Sequence, residues 1–154
     1  MYTTHDEFDP TDKNFPTTPQ EVTDRHLVGV LGMALYGCAY WCDELRVEDD
    51  DAVPDRLTPE QASALRGEPT DTGDTLCFEE LPLLGATWVF VPCEPEMPEA
   101  RLSIPRLRDA VAQIYCREAA RGHLGLGDFG PPVLDAQQAD AAVQLALFGE
   151  ILFG

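Results

Sequence analysis

Apolar residues recur at spacings of three and four from Leu27 onward: Leu27, Leu31, Ala34, Leu35, Cys38, Trp41, Cys42 and Leu45. This stripe predicts one helix of roughly 25 residues, with Cys38 and Cys42 on a common face. Thr18-Pro19-Gln20-Glu21 marks its start, with threonine as N-cap, proline at the first helical position and glutamate at the third. Gly29, Gly32 and Gly37 fall inside it, which predicts close backbone packing or a kink near Gly37. A second capping box, Thr58-Pro59-Glu60-Gln61, opens a short helix that Gly67 ends. Ser103 caps a helix over about 104–121, striped by Leu107, Ala110, Val111, Ile114 and Tyr115. Asp135 caps a last helix whose apolar face includes Ala139, Ala142, Val143, Ala146 and Leu147.

Between these helices, residues 75–79 and 86–91 are rich in Thr, Val, Phe and Trp and read as strands. Residues 101–104 read as a short third strand. The proline-rich run 92–98 and the glycine-rich run 125–132 read as loops. The expected fold is therefore α+β: a small antiparallel sheet of two to three strands packed with three to four helices. Residues 1–17 form a flexible acidic arm on this reading, and 18–154 a single α+β domain. A chain of 154 residues suits one domain that buries roughly 70% of its unfolded surface. The almost wholly apolar end, 145–154, must be buried or it would form an exposed apolar tail.

Charge changes the picture most. There are 28 acidic residues against 10 basic ones, for a net charge of −18, and Lys13 is the one lysine. Direct nucleic-acid binding is disfavoured, because phosphate contacts need clustered Lys and Arg. An anionic membrane surface is disfavoured for the same reason. The longest charge-free apolar stretch, 27–42, is too short for a spanning helix. The start of the chain is polar and acidic, without the pattern of a signal peptide. Cys38, Cys42, Cys77, Cys93 and Cys116 then read as reduced, mostly core thiols of a cytoplasmic protein.

The excess acid is unevenly spread. Residues 101–154 carry 6 acids and 5 bases, whereas 1–50 carry 11 and 3 and 51–100 carry 11 and 2. The acids of interest are Asp43, Glu44, Glu48, Asp49, Asp50, Asp51 and Asp55 in one segment and Glu94, Glu96 and Glu99 in another. Three explanations compete: solubility, adaptation to a salty cytoplasm, and a contact surface that imitates the phosphate row of DNA. Tyr40 and Trp41 are both taken as candidate aromatic contacts for a partner; being adjacent they cannot share a helix face, so one of them is expected to be exposed.

Other chemistry is weakly marked. Cys38 and Cys42 could bind zinc with His26 or His123, but the remaining cysteines are scattered singly, so the pair reads better as small core residues. No context marks any cysteine as an activated nucleophile. Gly125-Leu126-Gly127-Asp128-Phe129-Gly130 matches the dinucleotide fingerprint and the kinase Asp-Phe-Gly by letters only. A helix precedes it and two prolines follow. No cofactor or metal is expected.

Two segments carry a resemblance. They are Gly37-Cys38-Ala39-Tyr40-Trp41-Cys42, and Asp135 through Asp140 continuing to Gln144-Leu145-Ala146-Leu147-Phe148-Gly149-Glu150 with a final Phe153-Gly154. Together they resemble a group of small uncharacterised proteins of actinobacterial phages, plasmids and their hosts, with an early Gly-x-x-Tyr-Trp and a C-terminal Leu-Phe-Gly-Glu. The resemblance covers about a third of the chain and carries over no catalytic residue. It implies an accessory protein of a mobile element. The expected function is thus non-enzymatic: an acidic module that binds a host or phage protein, with DNA mimicry against a nucleic-acid enzyme as one form. The alternatives are a small Cys/His metal-binding protein or enzyme, and a homo-oligomeric structural subunit sealed by the apolar C-terminus.

Overall fold

The computed structural model describes residues 16–73, 75–122, 125–127 and 130–154. The expected arm over 1–17 lies outside them except for Pro16 and Thr17. The Glu21 carboxylate accepts hydrogen bonds from the backbone N–H and the hydroxyl of both Thr17 and Thr18. That closes only a 3-10 turn, Pro19–Glu21, after which Val22 is extended. A second N-cap follows at once. Thr23 Oγ1 accepts from His26 N, and His26 Nδ1 accepts from Thr23 N at 2.9 Å. Helix α1 therefore runs Asp24–Gly37, with 14 residues.

The expected 25-residue helix is thus corrected at both ends. Cys38 caps α1, and Cys42 opens strand β1, Cys42–Glu48. The stripe misleads because Leu45 continues it while Leu45 and Val47 also alternate with Glu44, Arg46 and Glu48 at the period of a strand. Pairing with β2, Thr87–Pro92, decides the outcome: Leu45 lies opposite Phe90, Arg46 opposite Val89 and Val47 opposite Trp88.

Helix α2, Pro59–Arg66, starts at the Thr58 capping box and ends at Gly67, whose φ of 82° suits glycine. The strand expected at 75–79 does not form. Residues Phe78–Leu83 make a 3-10 helix instead. The cause is Glu80, which is buried; its carboxylate accepts from Cys77 N at 2.8 Å and from two nitrogens of Arg66, each at 2.7 Å. These bonds favour a turn over an extended chain.

A two-residue strand β3, Ala100–Arg101, pairs with β2, giving a three-stranded antiparallel sheet in the order β1-β2-β3. Helix α3, Ile104–Ala120, is capped by Ser103, and α4, Ala136–Phe148, by Asp135, whose Oδ1 accepts from Gln138 N at 2.7 Å. The run expected as a loop at 125–132 instead pairs as a hairpin, β4 (Gly125–Gly127) with β5 (Gly130–Val133). Asp128 and Phe129 lie outside the described residues.

The α+β class is as expected. Trp88 and Phe90 on the inner sheet face pack into one core with α1, α3 and α4, and α4 is buried nearly all round. A smaller cluster of Leu57, Ala62 and Leu65 fixes α2 below Val28 of α1. Among the described residues no helix is long and apolar enough to cross a membrane. The cysteines correct the expectation of core thiols. Cys38 is buried and Cys42 half-buried, but Cys77, Cys93 and Cys116 are exposed, on a turn, a loop and the outer side of α3.

The approach of α1 to α4 depends on Gly37. A Cβ there would lie 2.2 Å from the Ala136 carbonyl oxygen, whereas one at Gly29 would meet nothing within 4 Å. Gly37→Ala should therefore destabilise the fold by about 1–3 kcal/mol. Gly29→Ala should stabilise it by up to about 1 kcal/mol. Urea denaturation of both variants checks the contrast, and equal effects would disprove it.

The Arg66 guanidinium holds the Glu80 carboxyl below its usual range. Its contribution to stability should be complete above the unfolded value near 4.5 and lost as pH falls through the lowered folded value. Glu80→Gln should remove that part of the acid dependence of denaturation.

Candidate functional site

The antiparallel pairing of β1 with β2 gathers the acidic segments on one sheet. Cys42 lies opposite Pro92, so Asp43 and Glu44 stand at the same end as Glu94 and Glu96 in the loop after β2. Glu48 lies opposite Thr87, so Asp49, Asp50, Asp51 and Asp55 continue from the other end. Asp49 takes a left-handed φ of 59°, which aspartate tolerates, and starts a 3-10 turn at Asp50–Ala52. Asp43, Glu44, Asp49, Asp50, Asp51, Asp55, Glu94, Glu96 and Glu99 are all exposed, and Glu48 is half-buried.

The middle of this face is neutralised. Arg46 and Arg101 flank Val89 from the two neighbouring strands, and Val89 is fully buried beneath them. Arg101 donates to both carboxylate oxygens of Glu48 at 2.9 Å. Arg46 donates to Glu99 at 2.7 Å and lies 3.7 Å from Glu44. The Arg46 hydrogen bond holds the Glu99 carboxyl below its usual range. Glu44, Glu48 and Glu99 therefore belong to an ion-pair network, and the surplus charge sits at the two ends of the sheet.

The aromatic pair divides. Tyr40 is 58% exposed, while Trp41 is 2% exposed and presents no surface to a partner. This corrects the expected contact role of Trp41. Its ring lies between Phe90 of β2, at 5.8 Å, and Phe153, at 5.2 Å and nearly parallel. Its indole Nε1 donates to Asp140 Oδ1 at 2.7 Å. Asp140 Oδ2 accepts from the Tyr40 hydroxyl at 3.0 Å and from Gln144 Nε2 at 2.8 Å. Gln144 then holds the C-terminal segment: its Oε1 accepts from Leu152 N and Phe153 N, and its Nε2 donates to Phe153 O. The segment 145–154 is thus only partly buried, with Phe153 packed on Trp41 and Ile151 and Leu152 exposed.

These contacts join the two segments that carried the resemblance. Neither Asp140 nor Gln144 stood out in the sequence, because polar residues on a helix read as its solvent side. One signal existed: Asp140 is the lone charge in helix 136–148. Beside this knot lies an open cavity of about 630 Å³. The cavity is lined by Tyr40, Asp140 and Gln144, and by Arg117 and Glu118 of α3 with Arg121 at its C-cap. Arg117 and Arg121 reach Glu118 at 3.7 and 4.0 Å, so the cavity is polar but near charge balance.

A zinc site on Cys38, Cys42 and His26 is not assembled. His26 stands at the opposite end of α1 from Cys38, about 18 Å of helix away, and His123 lies outside the described residues. Among the described residues no group of three or more His, Cys, Asp and Glu could hold a metal ion.

Replacing Asp140 by Asn leaves one acceptor for three donors and turns an N–H₂ toward them. Asp140→Asn should lose about 1–3 kcal/mol of stability. It should also speed amide hydrogen exchange at Leu152 and Phe153, measured by NMR. Unchanged exchange would show that the C-terminal segment is held independently of Asp140.

The chain matches no protein-family model, no curated protein and no solved structure.

Proposed function

We propose that this protein is a non-enzymatic, acidic accessory protein that docks on a basic surface of a protein partner, with a DNA-processing enzyme as the preferred class. One observation carries the reading. Two acidic segments some forty residues apart converge on a single three-stranded sheet, with their surplus charge at its two ends. The contact residues are Asp43, Asp49, Asp50, Asp51, Asp55, Glu94 and Glu96, with Tyr40 on the neighbouring turn as the exposed aromatic. Glu44, Glu48 and Glu99 have a supporting role, because Arg46 and Arg101 engage them. This spacing favours two anionic contacts separated by a neutral stretch over an unbroken phosphate-like row.

The test is affinity capture from lysate, followed by binding measurements with the purified partner. Affinity should fall steeply between low salt and about 0.5 M salt. The combined change Asp49→Asn, Asp50→Asn and Asp51→Asn should weaken binding at low salt, and so should Glu94→Gln with Glu96→Gln. A DNA-processing partner should release duplex DNA when this protein binds. Affinity indifferent to salt and to both variants would sink the reading.

A further inference from the structure

We propose that Cys38 and Cys42 form a reversible redox site that reacts with small-molecule disulfides and closes to a Cys38–Cys42 disulfide. The turn between α1 and β1 builds this site. Cys42 N donates to Cys38 O at 2.9 Å, so the five residues close one helical turn. Residues so related have Cα atoms roughly 6 Å apart, inside the span that a disulfide bridges. The two thiols also lie near enough to influence each other's ionisation, and the neutral Cys42 thiol donates to the Glu44 carbonyl at 3.2 Å.

The two thiols have different tasks. Cys42 is half-buried and reachable, whereas Cys38 is 6% exposed. The neighbouring Cys38 thiol, helped by the Val91 backbone, outweighs burial and holds the Cys42 thiol down to about 7. The neighbouring Cys42, with burial and the Asp140 carboxylate, pushes Cys38 up. Asp43 also faces Cys42 and opposes its ionisation. Because Cys42 is the reachable sulfur and Cys38 the covered one, Cys42 is the attacking thiolate and Cys38 the resolving thiol.

The chemistry balances with a disulfide RSSR as oxidant. The Cys42 thiolate attacks one sulfur, forms Cys42–S–SR and expels RS⁻. That removes the negative charge beside Cys38. Cys38 then gives its proton to solvent, attacks the Cys42 sulfur and expels the second RS⁻. The protein dithiol loses two electrons, RSSR gains them, and the two thiol protons end on two RSH.

Oxidised glutathione is the probe. The protein is incubated with it at pH 7, free thiols are blocked with N-ethylmaleimide, and tryptic peptides are weighed. Cleavage after Arg25 and Arg46 leaves both cysteines on one peptide. That peptide should lack two hydrogens and carry no adduct, while Cys77, Cys93 and Cys116 carry glutathione or the blocking group. Cys38→Ser should trap glutathione on Cys42, about tenfold faster than on Cys93. Blocking groups on both Cys38 and Cys42 of the unaltered protein would overturn the proposal. So would equal rates at Cys42 and Cys93 in the variant.

Discussion

The Asp140 carboxyl group sits almost without solvent contact in the middle of α4, and a buried acid persists only where donors replace the lost water. Three donors do so here, and their origins set the geometry of the helical layer. Gln144 comes from one turn further along α4. Tyr40 and Trp41 come from the turn after α1, so the end of α1 must reach α4. Gly37 permits that approach, since any side chain there would strike the Ala136 carbonyl. Trp41, once placed, offers its two faces to Phe90 of the sheet and Phe153 of the C-terminal segment. Sheet, helices and chain end thus meet at one indole. Each aromatic pair adds about 0.5–1.5 kcal/mol beyond burial, and each donor left unpaired would cost about 1–3 kcal/mol.

What was legible in the sequence was local. Thr58, Ser103 and Asp135 announced their helices because a cap needs only the next three residues. The central strand was legible from Trp88, Val89 and Phe90. The first helix was overextended because Leu45 satisfies two periods, following Cys42 at helical spacing and pairing with Val47 at strand spacing, and only the partner strand chooses between them. The 3-10 turn at 78–83 was missed because its cause, Arg66 beside Glu80, joins residues fourteen apart. Asp140 and Gln144 were missed for a related reason. Their partners lie about a hundred residues earlier or beyond the helix, and nothing in their own neighbourhood marks them as buried.

Of the acidic contact surface, the residues were legible and their arrangement was not. Ten acids were visible as two charged runs. Pairing of β1 with β2 then sorted them into two groups of different physical character. Those in the middle of the sheet meet Arg46 and Arg101, the two residues that flank the buried Val89. This part of the acidity belongs to the fold. It also covers β1, an edge strand, with charge that discourages pairing with a second chain.

The acids at the sheet ends need a different account. Asp49, Asp50 and Asp51 are consecutive, and Glu94 and Glu96 nearly so, which sets like charges side by side. Such repulsion is tolerated in water but adds nothing to the folded state. A protein that needs charge only to stay dissolved gains as much from acids spread over its whole surface, and the near-neutral last third of the chain is free of any such surplus. Edge protection is already supplied by the ion-paired middle. Acids placed at both ends of one sheet would suit a partner that carries matching positive charge at two points, which is the reading proposed above.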